Sequence, residues 1–178
     1  MADDNNIEMT CYSVPNKNEE IFNIVEEIAN DLLRYLNRPE VLDAIYDANQ
    51  PGSNSKDVQD VFLRHLSTIG FSDEKTGLFA NYKNKLLRPD YYLKIKDSGI
   101  IFEVERGKTI MNNMDMLDLW KCHICDYADY LFLAVPKMLK HNREKKGYNA
   151  YQQVCNRLSS FFSIGNYTNV KGLFIFGY

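Results

Sequence analysis

Cysteine is scarce and poorly placed for cross-linking. Cys11, Cys122, Cys125 and Cys155 are the only four in 178 residues, and in a chain of this length they do not make a disulfide framework. A fold that depends on disulfides is therefore excluded, and a reducing, cytoplasmic setting is the default expectation. Long apolar runs are absent too, since no stretch approaches the roughly 18 residues of a membrane span. The opening residues, Met1-Ala2-Asp3-Asp4-Asn5-Asn6, are acidic and polar, so no secretory leader is expected. An excess of positive charge is also missing. With a net charge of −3 the chain has no global attraction for nucleic acid, and such a partner must be met by a local basic patch.

What remains is an ordinary globular composition, 45% apolar and 25% charged, for which one domain burying about 70% of its unfolded surface is expected. Residues 1–18 are polar and loosely held, apart from a short segment at 9–14. Ile21, Ile24, Val25, Ile28, Leu32 and Leu36 recur at helical spacing over 19–36. Glu19 and Glu20 stand where negative charge suits a helix N-terminus. Pro39 opens a second helix running to 48. Gln50-Pro51-Gly52-Ser53-Asn54-Ser55 then breaks the chain. It divides a helical N-terminal extension, 1–50, from a core, 55–178, within one domain. Ser55 can cap a third helix over 56–68, closed by Gly70.

From Asp90 the side chains alternate. Tyr91, Leu93 and Ile95 share one face, and Asp90, Tyr92, Lys94 and Lys96 share the other. Lys96-Asp97-Ser98-Gly99 reads as a turn with Gly99 supplying the tight φ. On the returning strand, 100–105, Ile101, Glu103 and Glu105 oppose Ile100, Phe102 and Val104. A helix over 114–128, capped by Asn112 or Asn113, is apolar on most sides and so should be buried. The continuous apolar run 130–135 is a central strand, and the strand–helix–strand order implies parallel pairing with 100–105. A helix over 149–162 and a strand over 172–176 complete the order. The fold class is α/β (α+β), with a mixed central sheet flanked by helices.

The alternation places Asp90, Glu103 and Glu105 on one face of two adjacent strands. Three carboxylates so arranged raise one another's pKa values, a penalty that a divalent cation removes. Oxygen ligands favour Mg²⁺ or Mn²⁺. The plainer alternative pairs Glu103 and Glu105 with Lys94, Lys96 or Arg106. Pro89-Asp90, followed by Glu103-Val104-Glu105 at the end of the next strand, a helix and an apolar strand, resembles the PD-(D/E)xK, restriction-endonuclease-like superfamily. The resemblance covers about 55–136, with 152–176 as trailing elements. It implies a restriction-endonuclease-like core, Mg²⁺-dependent cleavage of DNA, and metal ligation by Asp90 and Glu103. The superfamily's Lys position falls on Glu105, as in a Glu-x-Glu minority of these enzymes. Glu105, or a displaced Lys108 or Lys94, would then orient the water. An additional acid often comes from the preceding helix in this superfamily, and Asp57, Gln59 and Asp60 are the nearest positions.

Arg106-Gly107-Lys108-Thr109 ends like a P-loop, but Phe102 stands where its first Gly belongs. The segment reads instead as a strand–helix loop in which Arg106 and Lys108 could touch phosphates. Cys122-His123-Ile124-Cys125 lacks a second ligand pair for zinc and reads as core packing. Two basic runs, 83–96 and 137–146, flank the acidic trio. Lys94, Arg106, Lys140 and Arg143 are the candidate nucleic-acid contacts. A second functional reading stays open: a nucleic-acid-binding or protein-docking module on a decayed nuclease fold, with the N-terminal helices as a surface for a homodimer or another partner.

Overall fold

The computed structural model describes residues 6–50, 52–73, 77–83, 85, 87–107, 109–110, 112–139 and 147–178. The chain begins with strand β1 (Glu8–Ser13), followed by helices α1 (Glu19–Leu36), α2 (Pro39–Ala48) and α3 (Ser55–Ile69). A short strand β2 (Ser72–Asp73) precedes the hairpin of β3 (Tyr91–Ile95) and β4 (Ser98–Val104). Then come α4 (Met114–Ile124) and β5 (Tyr130–Val135). The chain closes with the minor hairpin β6 (Met138–Leu139) and β7 (Tyr148–Asn149), α5 (Ala150–Ser159) and β8 (Gly172–Gly177).

One sheet of six strands, ordered β1-β8-β5-β4-β3-β2, organises the molecule. Its centre is parallel, β4 with β5 and β5 with β8, and both flanks are antiparallel. Alternation along the strands gives the sheet two apolar faces. Ile100, Phe102, Val104, Phe132 and Phe174 pack beneath α1, α2 and α3, whereas Ile101, Leu131, Leu133 and Ile175 pack beneath α4 and α5. The first face is strongly aromatic: Phe102 meets Phe62 at 5.7 Å and Phe132 at 6.1 Å, both edge-on. Each such side chain removed from water stabilises the fold by about 1.5–3 kcal/mol. This is the α/β architecture with a mixed, helix-flanked sheet.

Several local expectations change. The cap of α3 is Asn54, which forms a capping box with Asp57. Gly70 ends that helix in the left-handed region at φ +102°. In the β3–β4 turn the positive φ belongs to Lys96, not to Gly99. Gly99 lies inside β4, where an added Cβ would meet Tyr92 Cε2 at 2.5 Å and Tyr127 O at 2.7 Å. Glycine is required there by close packing rather than by dihedral freedom. Helix α4 stops at Ile124, and its buried side includes Asp115, Asp118 and Lys121, while Trp120 is 43% exposed. The buried helix thus carries charge inward. The N-terminal segment becomes an edge strand, β1, paired with β8. None of the described helices is long and apolar enough to cross a membrane.

Candidate metal and phosphodiester site

Pro89 brings no N–H to the ladder, so β3 begins only beyond it, and Asp90 stands at the strand's mouth. The Asp90 carboxylate folds back on the neighbouring strand: Val104 N–H donates to Oδ2 at 2.8 Å. Asp90 N–H in turn donates to Glu103 Oε2 at 3.1 Å. These reciprocal bonds lock Asp90 and Glu103 together across β3 and β4. Glu103 faces α4, as alternation requires, and is only 3% exposed. Glu105, one residue beyond β4, keeps its backbone in line by donating to Ala134 O at 2.8 Å.

Sequence reasoning missed what covers this face. Lys121 of α4 donates from Nζ to Glu103 Oε1 at 2.7 Å and lies 2.9 Å from Asp118 Oδ1. The spacing of Asp118 and Lys121 puts both on the helix stripe that meets the sheet. Arg157 of α5 steadies the start of α4, donating to Asn113 Oδ1 at 2.7 Å and reaching Asp115 Oδ2 at 3.4 Å. The signal was present in the sequence: Asp115, Asp118 and Lys121 recur every three residues, a charged stripe within an otherwise apolar helix.

The site is overloaded with negative charge. Burial, then the nearby Asp118 and Asp90 charges, hold Glu103 well above the usual carboxylate range against the pull of Lys121. Burial, followed by Asp118 and Asp90, pushes Glu105 up to about 8. Burial also raises Asp118, despite Lys121 beside it. Burial alone would lower Lys121, but Glu103 and Asp118 hold its ammonium above its usual value. Shifts of this kind, where burial and specific charge partners coincide in one cluster, mark a candidate functional site. A buried ion network of this kind adds little net stability, because desolvation offsets its attraction.

Asp90, Glu103, Glu105 and Asp118 offer only hard oxygen donors, with one ammonium to balance them. That donor chemistry fits Mg²⁺ or Mn²⁺. Among the described residues, however, no three Asp, Glu, His or Cys side chains stand in an arrangement ready to hold a metal ion. Lys121 takes the place between Glu103 and Asp118 instead.

The other predicted residues are distributed as follows. Lys94 is exposed on β3. Arg106 does not present a free guanidinium: it donates to Asn49 Oδ1 at 3.2 Å and to the carbonyls of Gln50 and Ser53, fastening the α2–α3 connection. Lys108, Lys140 and Arg143 lie outside the described residues. Asp57 is spent on the α3 cap and Asp60 pairs with Lys56, so α3 sends no acid to the site. Cys122 and Cys125 are buried, free thiols, and His123 Nδ1 accepts from Asn169 N–H, consistent with packing. A cleft of about 960 Å³ is lined in part by Arg106, Gly107 and Tyr178, and Glu105 is not among its lining residues. A second, of about 470 Å³, is lined by Lys85, Arg88 and Pro89 beside Asp90.

No family model matches the chain, and no curated protein matches it. Among solved structures it is similar to the restriction endonuclease BglII complexed with a DNA 16-mer, with 13% identity and a TM-score of 0.47, over 96% of this chain and 77% of that one. A likeness at that score decides nothing about function, which rests on the site itself.

Proposed function

We propose that the protein is a metal-dependent nuclease that hydrolyses DNA phosphodiester bonds. The observation that carries this reading is the buried cluster in which Asp90 is locked to Glu103 and Lys121 lies against Glu103 and Asp118. Asp90 and Glu103 are the ligands of a divalent cation, and Glu105 joins them or accepts the water's proton. When bound, the ion supplies an acidified water and charge stabilisation at the phosphate. Glu105, raised to about 8, titrates near neutrality, where a general base is effective. Lys121 takes the part expected of a lysine at position 105, donating to a phosphate oxygen from the helix instead of the strand. Lys85 and Arg88 line the cleft that includes Pro89, next to Asp90 in the chain, and Lys94 is exposed on β3; all three suit phosphate contacts.

The test is cleavage of plasmid and linear DNA by the purified protein with Mg²⁺ or Mn²⁺. Asp90→Ala should abolish cutting; cutting by that variant at the wild-type rate would sink the assignment. A second reading is favoured by the absence, among the described residues, of a ready-made metal cluster. In it the same fold binds nucleic acid without cleaving it. It predicts DNA affinity that falls steeply with salt, without metal-dependent products.

A further inference from the structure

Lys121 is 7% exposed and its ammonium touches two carboxylates, Glu103 Oε1 at 2.7 Å and Asp118 Oδ1 at 2.9 Å. Asp118 is fully buried, and the Lys121 ammonium 2.9 Å from its Oδ1 is the cation that balances it. Its carboxyl also interacts with that of Glu105. A small cation surrounded by oxygen donors in a dry pocket is what a divalent ion would be, and here an ammonium fills that role. Two cations cannot share such a place, because their repulsion is barely screened in a buried site.

We propose that Lys121 is the internal cation of the resting site, and that a divalent cation displaces its ammonium and recruits Asp118 as a further carboxylate ligand beside Glu103. This rests on the metal-dependent reading above and extends it to how the ion enters. The two side chains are suited to unequal movement. Asp118 is short and fixed on α4, whereas Lys121 carries its charge on a flexible four-carbon stem. Its head can therefore leave the carboxylates without α4 shifting. The displaced ammonium remains tethered at the site's edge, where an anionic phosphate oxygen is its natural partner. One residue thus closes the ion-free site and meets the substrate in the loaded one.

The test begins with the wild-type chain labelled with ¹⁵N-lysine. The Lys121 ammonium, held by two carboxylates away from water, should give a resolved, slowly exchanging Nζ signal. Saturating Mg²⁺, with saturation set by calorimetry, should shift that signal or abolish its protection; a signal unmoved at saturation overturns the proposal. In the second arm, Lys121→Met should bind Mg²⁺ about tenfold more tightly than wild type, because the competitor is gone. Equal or weaker Mg²⁺ binding by Lys121→Met overturns the proposal while leaving the metal site standing. Absence of Mg²⁺ binding in both proteins removes the metal-dependent reading and the displacement with it. Should Lys121→Met fold only when Mg²⁺ is present, the result supports displacement; should it fold in neither condition, the wild-type signal decides.

Discussion

Tyr178 donates its phenolic hydrogen to the main-chain carbonyl of Glu105 at 2.6 Å. Glu105 lies just past the end of β4, where a strand would fray, yet its N–H is held by Ala134 O and its carbonyl by Tyr178. Phe62 packs edge-on against the Tyr178 ring at 5.8 Å and fixes the phenol. Tyr178→Phe keeps the ring and removes only the donor. It should lower stability by about 1 kcal/mol and reduce metal-dependent cleavage by roughly ten- to a hundredfold through misplacement of Glu105. Urea denaturation and single-turnover cleavage check this; proportionate small losses in both would make Tyr178 a packing residue only.

The carboxyl cluster predicts how stability depends on pH. Glu105 is held at about 8 in the fold against a usual 4.5. Between those values the folded state keeps a proton that the unfolded chain has lost, so stability falls as pH rises. The favourable contribution is complete below about 4.5 and is gone once pH passes through about 8. Glu103 and Asp118, shifted in the same direction, add to the trend. Denaturation midpoints in chelator should therefore decline across this window. Glu105→Gln should flatten the decline, and its persistence unchanged in that variant would place the titration elsewhere.

Gly99 offers a sharper structural test. A Cβ there would come within 2.5 Å of Tyr92 Cε2, 2.7 Å of Tyr127 O and 2.8 Å of Leu93 O. Two of these neighbours are backbone and cannot swing aside. Gly99→Ala should cost about 1–3 kcal/mol or more and separate the β3–β4 hairpin from the 125–129 turn, which thermal melting would report. A melting temperature within a degree of wild type would contradict the close approach.

Much of this arrangement was legible because the central strands are buried on both faces. Phe102 and Ile101 point to opposite cores, so alternation alone could place Asp90 and Glu103 together. The edge strand β1 was legible only as a short segment at 9–14, without its strand character, because Glu8-Met9-Thr10-Cys11 is half-exposed and carries no clear period. Asp118 and Lys121 escaped for the opposite reason. In a helix rich in Met, Leu and Trp the apolar majority masks the few charges, whereas in the fold the Glu103 carboxylate holds the Lys121 ammonium inward and Trp120 is left 43% exposed. The role of Arg106 depends on the distant residues Asn49, Gln50 and Ser53, a long-range contact that no local pattern encodes.

Arg106 and Lys94 should therefore separate in their effects on DNA. The Arg106 guanidinium is committed to the α2–α3 connection, whereas Lys94 stands exposed on the strand that carries Asp90 to the site. A lost phosphate contact lowers the salt slope of DNA affinity by about one, while a lost structural anchor leaves the slope unchanged. Lys94→Ala should reduce the slope with little change in stability. Arg106→Ala should leave the slope intact, lower stability by about 1 kcal/mol as partly exposed acceptors at Asn49, Gln50 and Ser53 lose a charged donor, and speed hydrogen exchange at residues 49, 50, 52 and 53. Affinity measured across a salt series, together with exchange at those amides, decides between the roles. A slope lowered by Arg106→Ala without faster exchange would return that side chain to the nucleic-acid surface.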